Sequence, residues 1–134
     1  MVSMKKPRRI LVLLPHNDDE LFVAPFIKKE VDAGSFLRVC FLTHGSLYGS
    51  RSEVRISESQ EALARLGVTP AQIAYIGKDL DVYDGNSSLH CRTILKRLVD
   101  KYWGDVDEVW VPAWEGGHPD HDTTHVIGKS LSRR

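Results

Sequence analysis

Residues 10–14 (ILVLL) form an unbroken apolar run. Without polar alternation, such a run fits a strand covered on both faces, as in a parallel sheet. Residues 36–43 (FLRVCFLT) and the shorter 73–76 (IAYI) read the same way. Residues 108–113 (EVWVPA) supply a fourth strand, ending at Pro112, which cannot donate to a ladder. Helical spacing lies between these runs. Residues 20–33 open on acids, carry Lys28 and Lys29 late and stop at Gly34, as the helix dipole and a C-terminal cap favour. Pro25 predicts a kink within that helix. Residues 53–66 place Val54, Ala62, Leu63 and Leu66 among charges ahead of Gly67. Another helix is expected from a Ser87 or Ser88 cap to about residue 103, with Leu89, Ile94, Leu95, Leu98 and Val99 as its apolar stripe. A last one starts at Pro119, a residue suited to the first helical position. The alternation predicts an α/β fold: a doubly wound, mainly parallel sheet in a Rossmann-like three-layer α/β/α architecture. Ligands of such sheets bind beyond the carboxyl ends of the strands. The loops after strands one, two and four therefore carry the interest.

Composition narrows the class. The 134 residues are 42% hydrophobic and 27% charged, which fits one globular domain over 1–134 with enough chain for a real core. Eighteen basic side chains balance eighteen acidic ones, so no net field draws nucleic acid. Cys40 and Cys91 are far apart and outside any C-x-x-C pair, as expected of reduced thiols in a cytoplasmic protein. The basic N-terminus precedes an apolar run too short for export, and no run reaches the roughly 18 residues needed to span a bilayer. A cytoplasmic chain without a membrane span is expected.

Two loops hold unusual residues. After strand one comes Pro15-His16-Asn17-Asp18-Asp19-Glu20. Acids at a helix start are ordinary caps for the dipole, but neighbouring residues entering a helix point about 100° apart. One carboxylate can then hold a metal while the next faces its water. After strand four comes Trp114-Glu115-Gly116-Gly117-His118-Pro119-Asp120-His121-Asp122, and His118, His121 and His125 fall within eight residues. Spacing of three puts His118 and His121 on one face. Two histidines and one carboxylate with open positions is the donor set of a catalytic zinc, and the best set is His16, Asp19 and His121. Asp18 is then the natural general base, and His118, oriented by Asp120, could protonate a leaving amine or stabilise an oxyanion. Ser46, Ser50 and Ser52 sit in polar segments without a G-x-S-x-G elbow and read as turn residues.

PHNDDE after strand one, Arg55 with Glu58 and Leu66-Gly67 in the second helix, and HPDHD after strand four together resemble the LmbE / PIG-L zinc-dependent deacetylases. The resemblance spans residue 8 to about 130. It implies removal of an acetyl group from an N-acetylglucosaminyl compound, with His16, Asp19 and His121 holding zinc and Asp18 activating water. It also implies His118 with Asp120 as acid or oxyanion partner, and Arg55 as an arginine that reaches the substrate. Asn17 stands where the family has proline, which alters loop stiffness and removes no ligand. Family members continue past the helix after HPDH with a further strand and loops, so a chain lacking that portion is expected to expose a sheet edge open to self-association.

Three readings compete. The first is a hydrolase of N-acetylated sugar conjugates, using zinc or another divalent ion such as Fe2+. The second places a metal on His121 and His125, whose spacing resembles a helical H-E-x-x-H pair with aspartate in place of glutamate. The third is a catalytically inert metal-binding or regulatory subunit with the same fold. A dinucleotide site is disfavoured, because three carboxylates stand where a glycine-rich turn would cradle a pyrophosphate.

Overall fold

The structure, a computed structural model, describes residues 6–46 and 52–134. Its elements are β1 (Arg9–Leu14), α1 (Glu20–Asp32), β2 (Phe36–Phe41), α2 (Ser52–Arg65), a 3-10 turn (Pro70–Gln72), β3 (Ile73–Tyr75) and one-turn α3 (Ile76–Asp79). A second 3-10 turn (Ser87–His90), α4 (Cys91–Lys101), β4 (Glu108–Trp110) and α5 (Pro119–Ser132) follow. All strand pairs are parallel, in the order β3-β2-β1-β4. This is the doubly wound α/β sheet that the apolar runs predict.

The sheet buries both faces. Leu11, Leu13, Cys40 and Leu42 face one way and pack with Ile94, Leu98, Ile127 and Leu131 of α4 and α5. Ile10, Val12, Leu14, Val39 and Phe41 face the other way, with Ile27 of α1 and Leu63 of α2. Period-two alternation is therefore present in direction but hidden in composition, since both faces meet a helix layer. Strand β1 is central, and the chain winds from it through β2 to β3 before crossing back to β4. The reversal of winding falls between β1 and β4, where doubly wound sheets open a crevice at their carboxyl ends. It brings the loop after β1 beside the loop after β4, about 100 residues later.

Several boundaries differ from expectation. Strand β4 stops at Trp110 rather than residue 113, because it is an edge with a partner only on the β1 side and Pro112 follows. Strand β2 ends at Phe41, two residues early, where Thr43 turns its hydroxyl onto the Pro15 carbonyl at 2.7 Å. Helix α1 runs through Pro25, which lies on the exposed side where water can satisfy the carbonyl left without a donor. Val54 and Leu89 are 59% and 80% exposed, so neither belongs to an apolar stripe. Ser87 opens a 3-10 turn and caps nothing. Ser52 is the first residue of α2, and Ser50 lies outside the described residues.

One close approach locks the sheet edge near the site. A Cβ built on Gly77 of α3 would overlap the Thr43 backbone. Gly77→Ala is accordingly expected to destabilise the fold by about 3 kcal/mol, the upper range for overpacking where backbone must move. Urea unfolding checks this, and an unchanged midpoint would show that the contact has slack.

Candidate metal and hydrolytic site

The loop after β1 is a tight, side-chain-pinned turn. The His16 N–H donates to Asp19 Oδ2 (2.8 Å), and the Asp19 N–H returns to the His16 carbonyl (3.3 Å). Asp19 is the N-cap residue of α1 without capping it through its side chain. Rather than bonding the first turn of α1, its carboxylate turns back toward the histidines. Between them Asp18 adopts φ +83, the left-handed region that costs a non-glycine residue energy and recurs at functional sites. Asn17 anchors the turn from beneath, donating Nδ2–H to Ser59 Oγ of α2 (3.2 Å). Glu20, the third acid, is buried, and burial pushes its carboxyl above the usual range despite a bond from Ser59.

From the other side, His118 stands at the N-cap position of α5 without a side-chain cap, and Pro119 takes the first turn. The His118 and His121 rings stand 4.0 Å apart by centroid, on one face as the spacing of three predicts. His16 lies 5.5 and 5.6 Å from them. Ring nitrogens of His16, His118 and His121 come within 4.8 Å of one another, and no such cluster of donors occurs elsewhere among the described residues.

Asp19 joins this cluster. Its Oδ2 is 3.5 Å from His16 Nδ1 and its Oδ1 is 3.8 Å from His121 Nε2. Tetrahedral ligands at zinc bond lengths stand about 3.4 Å apart, so these separations approach those of ligands sharing an ion. The outward nitrogens of the same two rings each meet a carboxylate: His16 Nε2 to Asp120 Oδ2 at 2.6 Å, and His121 Nδ1 to Glu115 Oε1 at 3.2 Å. Metal-ligating histidines characteristically donate their second ring N–H to a carboxylate, as the His16–Asp120 hydrogen bond allows. His118 Nδ1, by contrast, is buried without a hydrogen-bond partner among the described residues.

The electrostatics separate the half-buried Asp19 from the buried Asp120. Burial pushes Asp19 above the ordinary carboxylate range, and the His16 N–H and nearby rings only partly offset it. Burial opposes charge on Asp120 as well, yet bonds from His16, Ser87 and Gly85 outweigh it and hold that group well below the range. Burial also opposes charge on His16. The Asp120 bond and the carboxylates of Asp19 and Asp84 outweigh it, so its pKa is raised. Asp120 is thus a carboxylate satisfied by its hydrogen bonds, whereas the donors around Asp19 offset its burial only in part.

Asp18 is exposed at the rim, and Arg55 Nη1 lies 3.3 Å from its Oδ2. One expected contact is corrected, and the competing His121–His125 pair is not formed. Asp120 does not orient His118: the Asp120 carboxylate lies against His16, 104 positions earlier, and against the turn 85–87. His125 is outside the cluster, with its Nδ1–H on the Pro112 carbonyl (2.9 Å) and its ring against Trp114. Sequence reasoning also missed Glu115 and the turn 84–87, which supplies the other donors to Asp120. The only signal for that turn is a polar DGNSS run at 84–88, a composition shared by ordinary turns.

Comparison with known proteins gives this geometry its class. The family model described as PIG-L, GlcNAc-PI de-N-acetylase, matches residues 11–132, and the chain belongs to that family. Among solved structures, it resembles N,N'-diacetylchitobiose deacetylase from Pyrococcus horikoshii in complex with its inhibitor MPG, at a TM-score of 0.73 and 22% identity. The match covers 98% of this chain and 53% of that one, so the chain spans about half its length, and the likeness is one of fold. No curated protein matches the sequence.

Proposed function

We propose that this chain is a metal-dependent N-deacetylase acting on an N-acetylglucosamine-type compound, with His16, Asp19 and His121 as metal ligands. The observation that carries the reading is the Asp19 carboxylate set between the inward nitrogens of His16 and His121, while Asp120 and Glu115 occupy their outward nitrogens. The donor set fits a borderline divalent ion, zinc by preference and Fe2+ as a substitute. Bound there, such an ion would supply Lewis acidity, acidifying water and polarising an amide carbonyl.

The chain's own residues do the remainder. Asp18, exposed beside that donor set, takes a proton from the attacking water. His118 stabilises the developing oxyanion or protonates the departing amine, so that amide and water become acetate and a free amine. Arg55, beside Asp18, is positioned to meet a polar group of the substrate. The substrate is a small N-acetylated sugar conjugate. No helix among the described residues is long and apolar enough to cross a membrane, which is compatible with action in the cytoplasm.

Metal analysis and acetate release on N-acetylglucosaminyl compounds test the reading together. Stoichiometric zinc with acetate release is expected. Bound zinc with no acetate from any of these compounds would overturn the hydrolase in favour of an inert metal-binding subunit.

A further inference from the structure

We propose that Ser87 is a positioning residue that fixes His16 by gripping Asp120, with the backbone of its own turn as the second jaw. The proposal rests on the reading of His16 as a metal ligand. Ser87 and Asp120 are both buried, at 0% and 1% exposure. Asp120 Oδ1 accepts the Ser87 hydroxyl (2.5 Å) and the Ser87 N–H (3.2 Å). Oδ2 accepts the Gly85 N–H (2.6 Å) and His16 Nε2 (2.6 Å). A carboxylate offers about four lone-pair sites, so the carboxylate is saturated in one orientation. Rotating it would break three bonds to the turn.

The consequence for His16 is chemical. A carboxylate whose oxygens already accept three hydrogen bonds from the turn takes the imidazole as its fourth donor, so Nε2 carries the hydrogen. The lone pair is then left on Nδ1, the nitrogen that faces Asp19. The turn is built for this. Gly85 has φ +89, a left-handed conformation that a side chain would strain, and its N–H reaches Asp120 from it. Asp84 ties the turn to the end of β2, accepting from the Gly45 N–H (2.9 Å) with the Thr43 hydroxyl 2.7 Å away. Asn86 makes no side-chain cap, and the Ser87 hydroxyl is spent on α5 rather than on its own turn.

The simpler account is that Ser87 merely staples its turn to α5, and Thr124 provides the contrast. It is equally buried, and its hydroxyl donates to the backbone carbonyl of the same Asp120 (2.7 Å) without touching the carboxylate. In the full chain, Zn2+ affinity measured against a chromophoric chelator is expected to fall roughly 10- to 100-fold in Ser87→Ala and to stay at wild type in Thr124→Val. Equal affinity in Ser87→Ala and wild type, or equal losses in both variants, would overturn the proposal. Nitrogen-15 NMR of the histidines in the metal-free wild type, at a pH high enough for the His16 ring to be neutral, decides independently of how any variant folds. The Nε2–H form of His16 is expected, and a dominant Nδ1–H form would overturn the positioning role. Wild type that takes up no zinc would sink the metal reading, while the tautomer still decides the grip.

Discussion

Asp18→Asn should lower acetate release by roughly 10²- to 10⁴-fold, the range for losing a positioned general base, while zinc content stays at the wild-type level. Asparagine is the informative replacement because Asp18 sits at φ +83. Asparagine is among the few residues that tolerate that region, so the turn keeps its shape and only the basic oxygen is lost. Alanine would confound the chemistry with backbone strain. The two ion-pair partners must also be separated. Arg55 approaches Asp18 at 3.3 Å across a half-exposed surface, where such pairs contribute little to stability, so Asp18→Asn should leave the unfolding midpoint nearly unchanged. Acetate release and bound zinc, measured on one preparation, check the claim. Loss of zinc in Asp18→Asn would move Asp18 from base to ligand, and full activity would remove it from the reaction.

The fold was legible because its chemistry is one-sided. Residues 10–14 can be apolar throughout only if helices cover both faces, which is what Leu11 and Leu13 on one side and Ile10, Val12 and Leu14 on the other encounter. The site motifs were legible because histidines and paired acids are uncommon at carboxyl strand ends. What sequence could not convey is which side chains meet across the crevice. Spacing relates residues along one helix, and so it places His118 beside His121 correctly. It says nothing of a contact such as Asp120 to His16, which follows from the β1–β4 adjacency. The supporting residues Ser87, Gly85 and Ser59 are of types found in any turn or helix. Val54 and Leu89 show the reverse failure, since one apolar residue on a short amphipathic segment does not by itself define the buried face.

The largest effect is expected from His121→Ala, which should abolish specific zinc binding and reduce turnover by on the order of 10³-fold or more, as losing several kcal/mol of Lewis-acid stabilisation implies. Position 121 lies in the first turns of α5, and alanine is a good helix former, so the metal-free variant should unfold at or near the wild-type temperature. Zinc at about 100 times its Kd should stabilise wild type by about 2.7 kcal/mol through mass action, and His121→Ala should gain nothing. The neighbouring ring makes the experiment decisive. His118 lies 4.0 Å away by centroid and belongs to the same cluster of donors, yet its Nδ1 has no carboxylate behind it. As an oxyanion or acid partner, His118→Ala should keep zinc and lose roughly 10²- to 10³-fold in kcat. If His118→Ala loses zinc as completely as His121→Ala while Asp19→Ala retains it, the ion is held by the three histidines. Asp19 would then be a carboxylate facing the reacting water, and the base would have to be reassigned between Asp18 and Asp19.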